Sequence, residues 1–304
     1  MPKSGNVVIF DANMSLRLVL VALADHDAAP LWHPIQQRVV AVVSRNDLSD
    51  IAWFSQGTGE LDDILDSYSV LTWRALCQRM ESGGAPPLDV KGRQTATQLV
   101  KSKRHHPALS GFAKLGPDAT LWDAVVMLRQ FHVHHLPILE DSEQTCCYVI
   151  TMRRIFDFLT LHFADDRRIF DQQVRDLSIG TFSGLLSVTP DVPLSSPMLL
   201  FEEHPVLSTL PVVDEAGRII NVLKRSMAFS AVDFSLPVSS FIDVKATLVH
   251  TAASDVTLFQ LFVKFAETKA QCLYLVDADA KFIGLVTLAQ VLDYFCAASA
   301  TATA

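Results

Sequence analysis

Four short apolar segments of this chain share one grammar, and that repetition restricts its fold more than any other feature. The segments are Ala28-Ala29-Pro30-Leu31-Trp32, His135-Leu136-Pro137-Ile138-Leu139, Thr209-Leu210-Pro211-Val212-Val213 and Cys272-Leu273-Tyr274-Leu275-Val276. Polar turns follow, clearest at Asp214-Glu215-Ala216-Gly217-Arg218 and Asp277-Ala278-Asp279-Ala280-Lys281. Second apolar runs come next at 39–43, 146–150, 219–223 and 282–286, and their β-branched and aromatic content suits buried strands.

Helical spacing brackets each pair. Leu16, Val19, Leu20 and Leu23 recur as one face of a helix, as do Leu258, Leu261, Phe262 and Phe265. Leu121, Val125 and Leu128 form the second such face, behind a capped start at Asp118-Ala119-Thr120. In the third copy Pro193 can open the helix, while Pro197 and Pro205 should weaken it. Closing helices are expected over Asp47–Phe54, Arg154–Phe163, Met227–Phe234 and Gln290–Phe295. From Pro30, Pro137, Pro211 and Tyr274 to the residues that open them, the offsets are 17, 17, 16 and 16. Such agreement marks a true internal repeat. The expected class is α+β, built from four β-α-β-β-α units.

Size and composition narrow the function classes. The 304 residues suffice for two ordinary domains, and half of them are apolar. Apolar runs such as Leu18–Leu23 are too short to cross a bilayer, and the opening Met1-Pro2-Lys3-Ser4-Gly5 does not read as a signal peptide. Five cysteines without a CxxC pair suit a reducing compartment. A net charge of −8 argues against nucleic acid as the partner. The basic run Lys91, Arg93, Lys101, Lys103 and Arg104 follows a loop-like Gly83-Gly84-Ala85-Pro86-Pro87 and reads as a solvated linker or a docking signal. A cytoplasmic protein is expected, with the nucleus as a second location.

Phe131-His132-Val133-His134-His135-Leu136-Pro137 concentrates three histidines. On a strand, His132 and His134 would face one way and His135 the other. Zinc would need further ligands, which Cys146 or Cys147 could only begin to supply. General-base catalysis would need a nucleophile and an orienting partner, and neither is visible.

The β-α-β-β-α unit resembles the cystathionine-β-synthase (CBS) domain, which pairs into Bateman modules. The phrases Ala28-Ala29-Pro30-Leu31-Trp32, Asn46-Asp47-Leu48-Ser49-Asp50-Ile51, Thr72-Trp73-Arg74, Arg153–Leu159, Leu177–Thr181 and Leu210–Arg218 resemble more closely the γ subunits of AMP-activated protein kinase and their sucrose-non-fermenting relatives. The resemblance implies four CBS motifs in two Bateman modules forming a pseudo-fourfold disc. Their expected bounds are 6–60, 108–165, 170–235 and 236–298, with a TWR-containing linker at 61–107 and a disordered tail at 299–304. It also implies a non-catalytic regulatory subunit of a heterotrimeric kinase, with a catalytic α subunit and a β scaffold subunit as partners. AMP, ADP or ATP are the implied ligands, and neither a cofactor nor a metal is expected.

Carried over by position, the resemblance gives Asp47 the ribose hydroxyls, with His134 and Arg153 as phosphate partners. Arg154 fits a site that the family leaves unused, and Met227 and Gln290 stand at expected aspartates. Asp27, His134, Ser208 and Gln271 precede the first strand cores, with Asp27 where an arginine would bind phosphate. His135 and Cys272 also replace arginines. Ser44, Ser208, Lys224 and Arg225 complete the candidates. Nucleotide binding is therefore expected to be reduced or lost. The alternative is a stand-alone CBS-pair regulator that binds a small molecule and controls another enzyme or transporter.

Overall fold

The computed structural model describes residues 7–26, 28–44, 48, 51, 61–81, 112–131, 133–140, 145–162, 170–204, 207–230, 233–242 and 249–302. The first copy comprises β1 (Phe10–Asp11), α1 (Leu16–Ala22), β2 (Ala28–His33) and β3 (Arg38–Ser44), followed by α2 (Leu61–Ser67) and α3 (Val70–Glu81). The second comprises α4 (Leu121–Gln130), β4 (His135–Leu139), β5 (Cys146–Thr151) and α5 (Met152–His162). The third has α6 (Ser195–Glu203), β6 (Thr209–Val213), β7 (Ile219–Lys224) and a 3-10 turn over Arg225–Ser230. The fourth has β8 (Thr251–Ala253), α7 (Leu258–Thr268), β9 (Cys272–Val276), β10 (Phe282–Thr287) and α8 (Leu288–Ala302).

Each copy is an antiparallel hairpin preceded by a short parallel pairing. Phe10 pairs with Leu31, Leu115 with Ile138, Val188 with Val212 and Ala252 with Leu275, and these partners occupy one position of the repeat. The hairpin register shifts just after that position in all copies: between Leu31 and Trp32, Ile138 and Leu139, Val212 and Val213, and Leu275 and Val276. A β-bulge inserts one residue and sharpens the local twist, so conserving its place keeps the strand ends equivalent. Cys147 is the inserted residue of its copy, which leaves it exposed while Cys146 is buried.

The helix starts follow their chemistry. The Thr120 and Thr257 side chains cap α4 and α7, each reciprocated by the side chain three residues on, Asp123 or Gln260. Leu194 gives α6 no side-chain cap, yet that helix forms despite Pro197. Pro197 falls in the first turn, where a missing N–H breaks no helical hydrogen bond. Leu121, expected in the core stripe of α4, is instead exposed, and Ala124 is buried beside Val125 and Leu128.

The closing elements depart from expectation in three places. Only Leu48 and Ile51 of Asp47–Phe54 are described; both are helical and buried. The third copy closes with a 3-10 turn over Arg225–Ser230 rather than an α-helix over Met227–Phe234. Residues 299–302, expected as disordered tail, continue α8, whose alanine-rich end has high helix propensity. Within the expected linker lie α2 and α3, where Trp73 and Arg74 are buried and Arg74 Nη2 donates to the Val42 carbonyl at 2.7 Å.

The copies associate in two ways. Val39, Leu139 and Cys146 share one apolar cluster with Trp32 and Val149, joining the first and second sheets. The third and fourth hairpins meet where the Phe282 N–H donates to the Gly217 carbonyl at 2.9 Å. Helices then bind the second copy to the fourth: Phe156 of α5 lies 4.7 Å from Phe262 and 5.8 Å from Phe265, ring centre to ring centre. No helix among the described residues is long and apolar enough to cross a membrane. Phe156 is fully buried, so Phe156→Ala should cost about 3–5 kcal/mol, read as a lower urea midpoint.

Candidate functional site

The repeated register brings equivalent strand ends together. The last cross-strand pairs are Ala28 with Ser44, His135 with Thr151, Thr209 with Lys224, and Cys272 with Thr287. A cavity of about 1260 Å³ opens at these ends, and Ala28, His135, Thr151, Thr209, Cys272 and Thr287 line it. All four copies thus contribute to one chamber. Among the described residues, no group of three or more His, Cys, Asp or Glu is placed to hold a metal ion.

The residue ending the second strand decides how the closing segment begins. Thr151 Oγ1 accepts from the Arg154 N–H at 3.2 Å, and Thr287 Oγ1 accepts from the Gln290 N–H at 3.3 Å. Gln290 Oε1 accepts in turn from the Thr287 N–H at 2.9 Å, completing a capping box. Lys224 holds this position in the third copy and has no side-chain oxygen to accept an amide proton; a 3-10 turn follows it.

His134, His135, Arg153, Arg154 and Ser208 line the cavity, whereas Ser44, Lys224 and Arg225 do not. Asp47, Asp27 and His132 lie outside the described residues. His134 precedes β4 rather than lying on it, so strand alternation does not separate it from His135, and both reach the same space. Arg225 is only 3% exposed; its Nη2 donates to the Phe201 carbonyl and to that of His204 at 3.3 Å. It neutralises the carbonyl end of α6, as a cation at a helix C-terminus does.

Several cavity residues escaped the sequence reading because their partners are remote in the chain. Arg129 Nε lies 2.7 Å from Asp293 Oδ1. Burial pushes the Asp293 carboxyl above the usual carboxylate range, and the Arg129 charge opposes that. Arg153 Nε lies 3.0 Å from Asp157 Oδ1, an approach of charges rather than an aligned hydrogen bond, and Lys269 Nζ is 3.8 Å from the same oxygen. Arg153 Nη1 donates to the Ala270 carbonyl at 3.3 Å. Arg154 is engaged by its own sheet: its guanidinium is 4.4 Å from the Tyr148 ring centre, and Nη1 donates to the Val149 carbonyl at 3.2 Å.

Two further ties cross from the fourth copy to the third. Gln290 Nε2 donates to Thr181 Oγ1 at 2.9 Å, and Tyr274 Oη donates to Thr209 Oγ1 at 3.0 Å. Gln290, at the position where a ribose-binding aspartate was expected, therefore has its amide engaged by the protein. The T-x-x-Q spacing of Thr287 and Gln290 was the signal that could have revealed half of this arrangement.

Residues 110–161 and 174–233 match the CBS domain family. With the four bulged hairpins, this makes the molecule an α+β protein whose matched segments are tandem CBS domains. More particularly, the chain is similar to γ subunits of 5'-AMP-activated protein kinase. It is 22% identical to that of Dictyostelium discoideum over 312 residues, 96% of this chain and 50% of the relative. To the human γ-3 subunit it is 23% identical over 310 residues, 96% of this chain and 57% of that one. The chain thus spans about half the length of the curated relatives it matches. A solved protein from Methanocaldococcus jannaschii, described as a suggested archaeal homologue of γ-AMPK, superposes with a TM-score of 0.66 at 15% identity, covering 96% of this chain and 97% of that one. A conserved protein from Pyrococcus horikoshii gives 0.52 at 12% identity, covering 95% and 96%. These two likenesses concern the fold alone.

Two outcomes follow from this geometry. Replacing Gln290 by Ala removes a reciprocal cap and the bond to Thr181, and should lower unfolding free energy by about 1–2 kcal/mol in urea titration. Burial raises the Cys146 thiol to about 11 and the Cys272 thiol to about 12. Both therefore stay protonated at pH 8, where the thiolate is the reactive form. Iodoacetamide should label exposed Cys147 before Cys146 and Cys272, as peptide mass analysis would record.

Proposed function

We propose that this chain is a γ-type regulatory and scaffolding subunit of an AMP-activated, heterotrimeric protein kinase, working in cellular energy sensing. Its partners are a catalytic α subunit and a β scaffold subunit, and it acts in the cytoplasm. The observation that carries this reading is end-to-end similarity to γ subunits, 96% of the chain, on a fold whose four copies converge on one cavity. No catalytic role is assigned to the histidines.

Nucleotide binding is weak in this reading. Arg129, Arg153 and Lys269 each face a carboxylate within 4 Å, so phosphates must displace partners already in place. His134, His135, Arg154 and Ser208 also line the wall as proposed contacts for AMP, ADP or ATP, and Asp47 is the proposed ribose partner. Any regulation is differential: a nucleotide shifts the complex only by binding one arrangement better than another.

Affinity purification of the full chain should recover a protein kinase catalytic subunit and a β-type subunit together. Recovery of neither would refute the assembly and leave a stand-alone CBS regulator. Calorimetric titration with AMP, ADP and ATP should give weak binding that Asp47→Ala abolishes. Undiminished binding in that variant would move the site elsewhere.

A further inference from the structure

The cavity wall carries its own anions, and two of them sit on its cations. Of the lining residues with fixed charge, Arg129, Arg153, Arg154 and Lys269 are positive, while Asp25, Asp157 and Asp293 are negative. Asp157 holds a distinct position among them. One of its oxygens lies 3.0 Å from Arg153 Nε on its own helix and 3.8 Å from Lys269 Nζ, which stands just beyond the end of α7 in the fourth copy. Arg153 is almost withdrawn from solvent, with 16% of its side chain exposed, and its Nη2 is buried without a hydrogen bond. That guanidinium has donor capacity left, in a chamber large enough for a ligand.

The geometry points to Asp157 as an internal competitor for anions: its carboxylate occupies the place between Arg153 and Lys269 where a phosphate would bind. A phosphate and this carboxylate cannot both stand within hydrogen-bonding distance of the two cations without strong like-charge repulsion. Entry of a polyanion therefore requires Asp157 to rotate away, which leaves a carboxylate beside the incoming charge. Asp157 keeps 41% of its side chain exposed and Lys269 keeps 68%, so rotation meets little packing. The ligand class is an oligophosphate group, whether free or borne by a nucleoside. This inference deepens the proposed nucleotide reading and rests on it for the adenosine portion only.

The test titrates inorganic tripolyphosphate and ATP into the full chain, into Asp157→Asn and into Asp157→Ser by calorimetry, with thermal melting as the folding control. Removing one charge about 4 Å from the ligand should tighten tripolyphosphate about tenfold, between the bulk-water and near-surface values for two charges at that distance. Adding Arg153→Gln to Asp157→Asn should erase that gain. A tenfold gain for tripolyphosphate, with ATP binding no tighter than tripolyphosphate, would uphold Asp157 while removing the adenine-nucleotide reading. Unchanged or weaker tripolyphosphate binding in both folded variants would overturn the inference. So would loss of the folded state in both, since Asp157 would then be a structural residue.

Discussion

The register of the hairpins governs everything else in this molecule. Each copy carries its bulge at the same place, after Leu31, Ile138, Val212 and Leu275. Because side chains alternate along a strand, a slip of one residue would exchange buried and exposed faces. Leu31, Leu136, Leu210 and Leu273 would leave the core, where all four are fully buried. The same slip would move the strand-end pairs, and with them the starts of the closing segments, away from the common cavity. Packing thus fixes the register, and the register delivers the cavity.

Much of this was legible in the sequence because strand patterning is local. The expected first strands differ from the observed ones only in the extension of β2 to His33, and the second strands gain one or two residues. The helix stripes at Leu16 and Leu258 were read correctly, since amphipathic spacing survives without knowledge of the partner. Pro197 misled because its cost depends on where the helix starts, and the start without a cap at Leu194 left no mark in the sequence. The closing segment of the third copy was expected as a helix because the offsets of the repeat were extended to it, and offsets carry no information on helix type. His134 and His135 were separated by an alternation that begins only at the strand itself.

The site was less legible, and the reason is chain distance. Position in the repeat brought His134, His135, Arg153, Arg154 and Ser208 to the cavity wall. The i, i+4 spacing of Arg153 and Asp157 could have been read from the sequence, but no spacing rule links them to Lys269, or Arg129 to Asp293, across copies. Arg225 shows the converse failure. A cation near a strand end was counted toward the ligand, while its physical partner is the carbonyl end of a helix that the sequence described poorly.

In the fourth copy, polar side chains that line the cavity are engaged by other parts of the protein. A buried donor or acceptor without a partner is costly, so an empty polar cleft selects side chains that satisfy one another. Gln290 does so through Thr287 and Thr181, and Tyr274 through Thr209, both binding the fourth copy to the third. Arg129–Asp293 and the group around Asp157 bind it to the second. These contacts tie the fourth copy to its neighbours through residues of the cavity wall. Under the proposed nucleotide reading, an incoming phosphate must compete with these bonds.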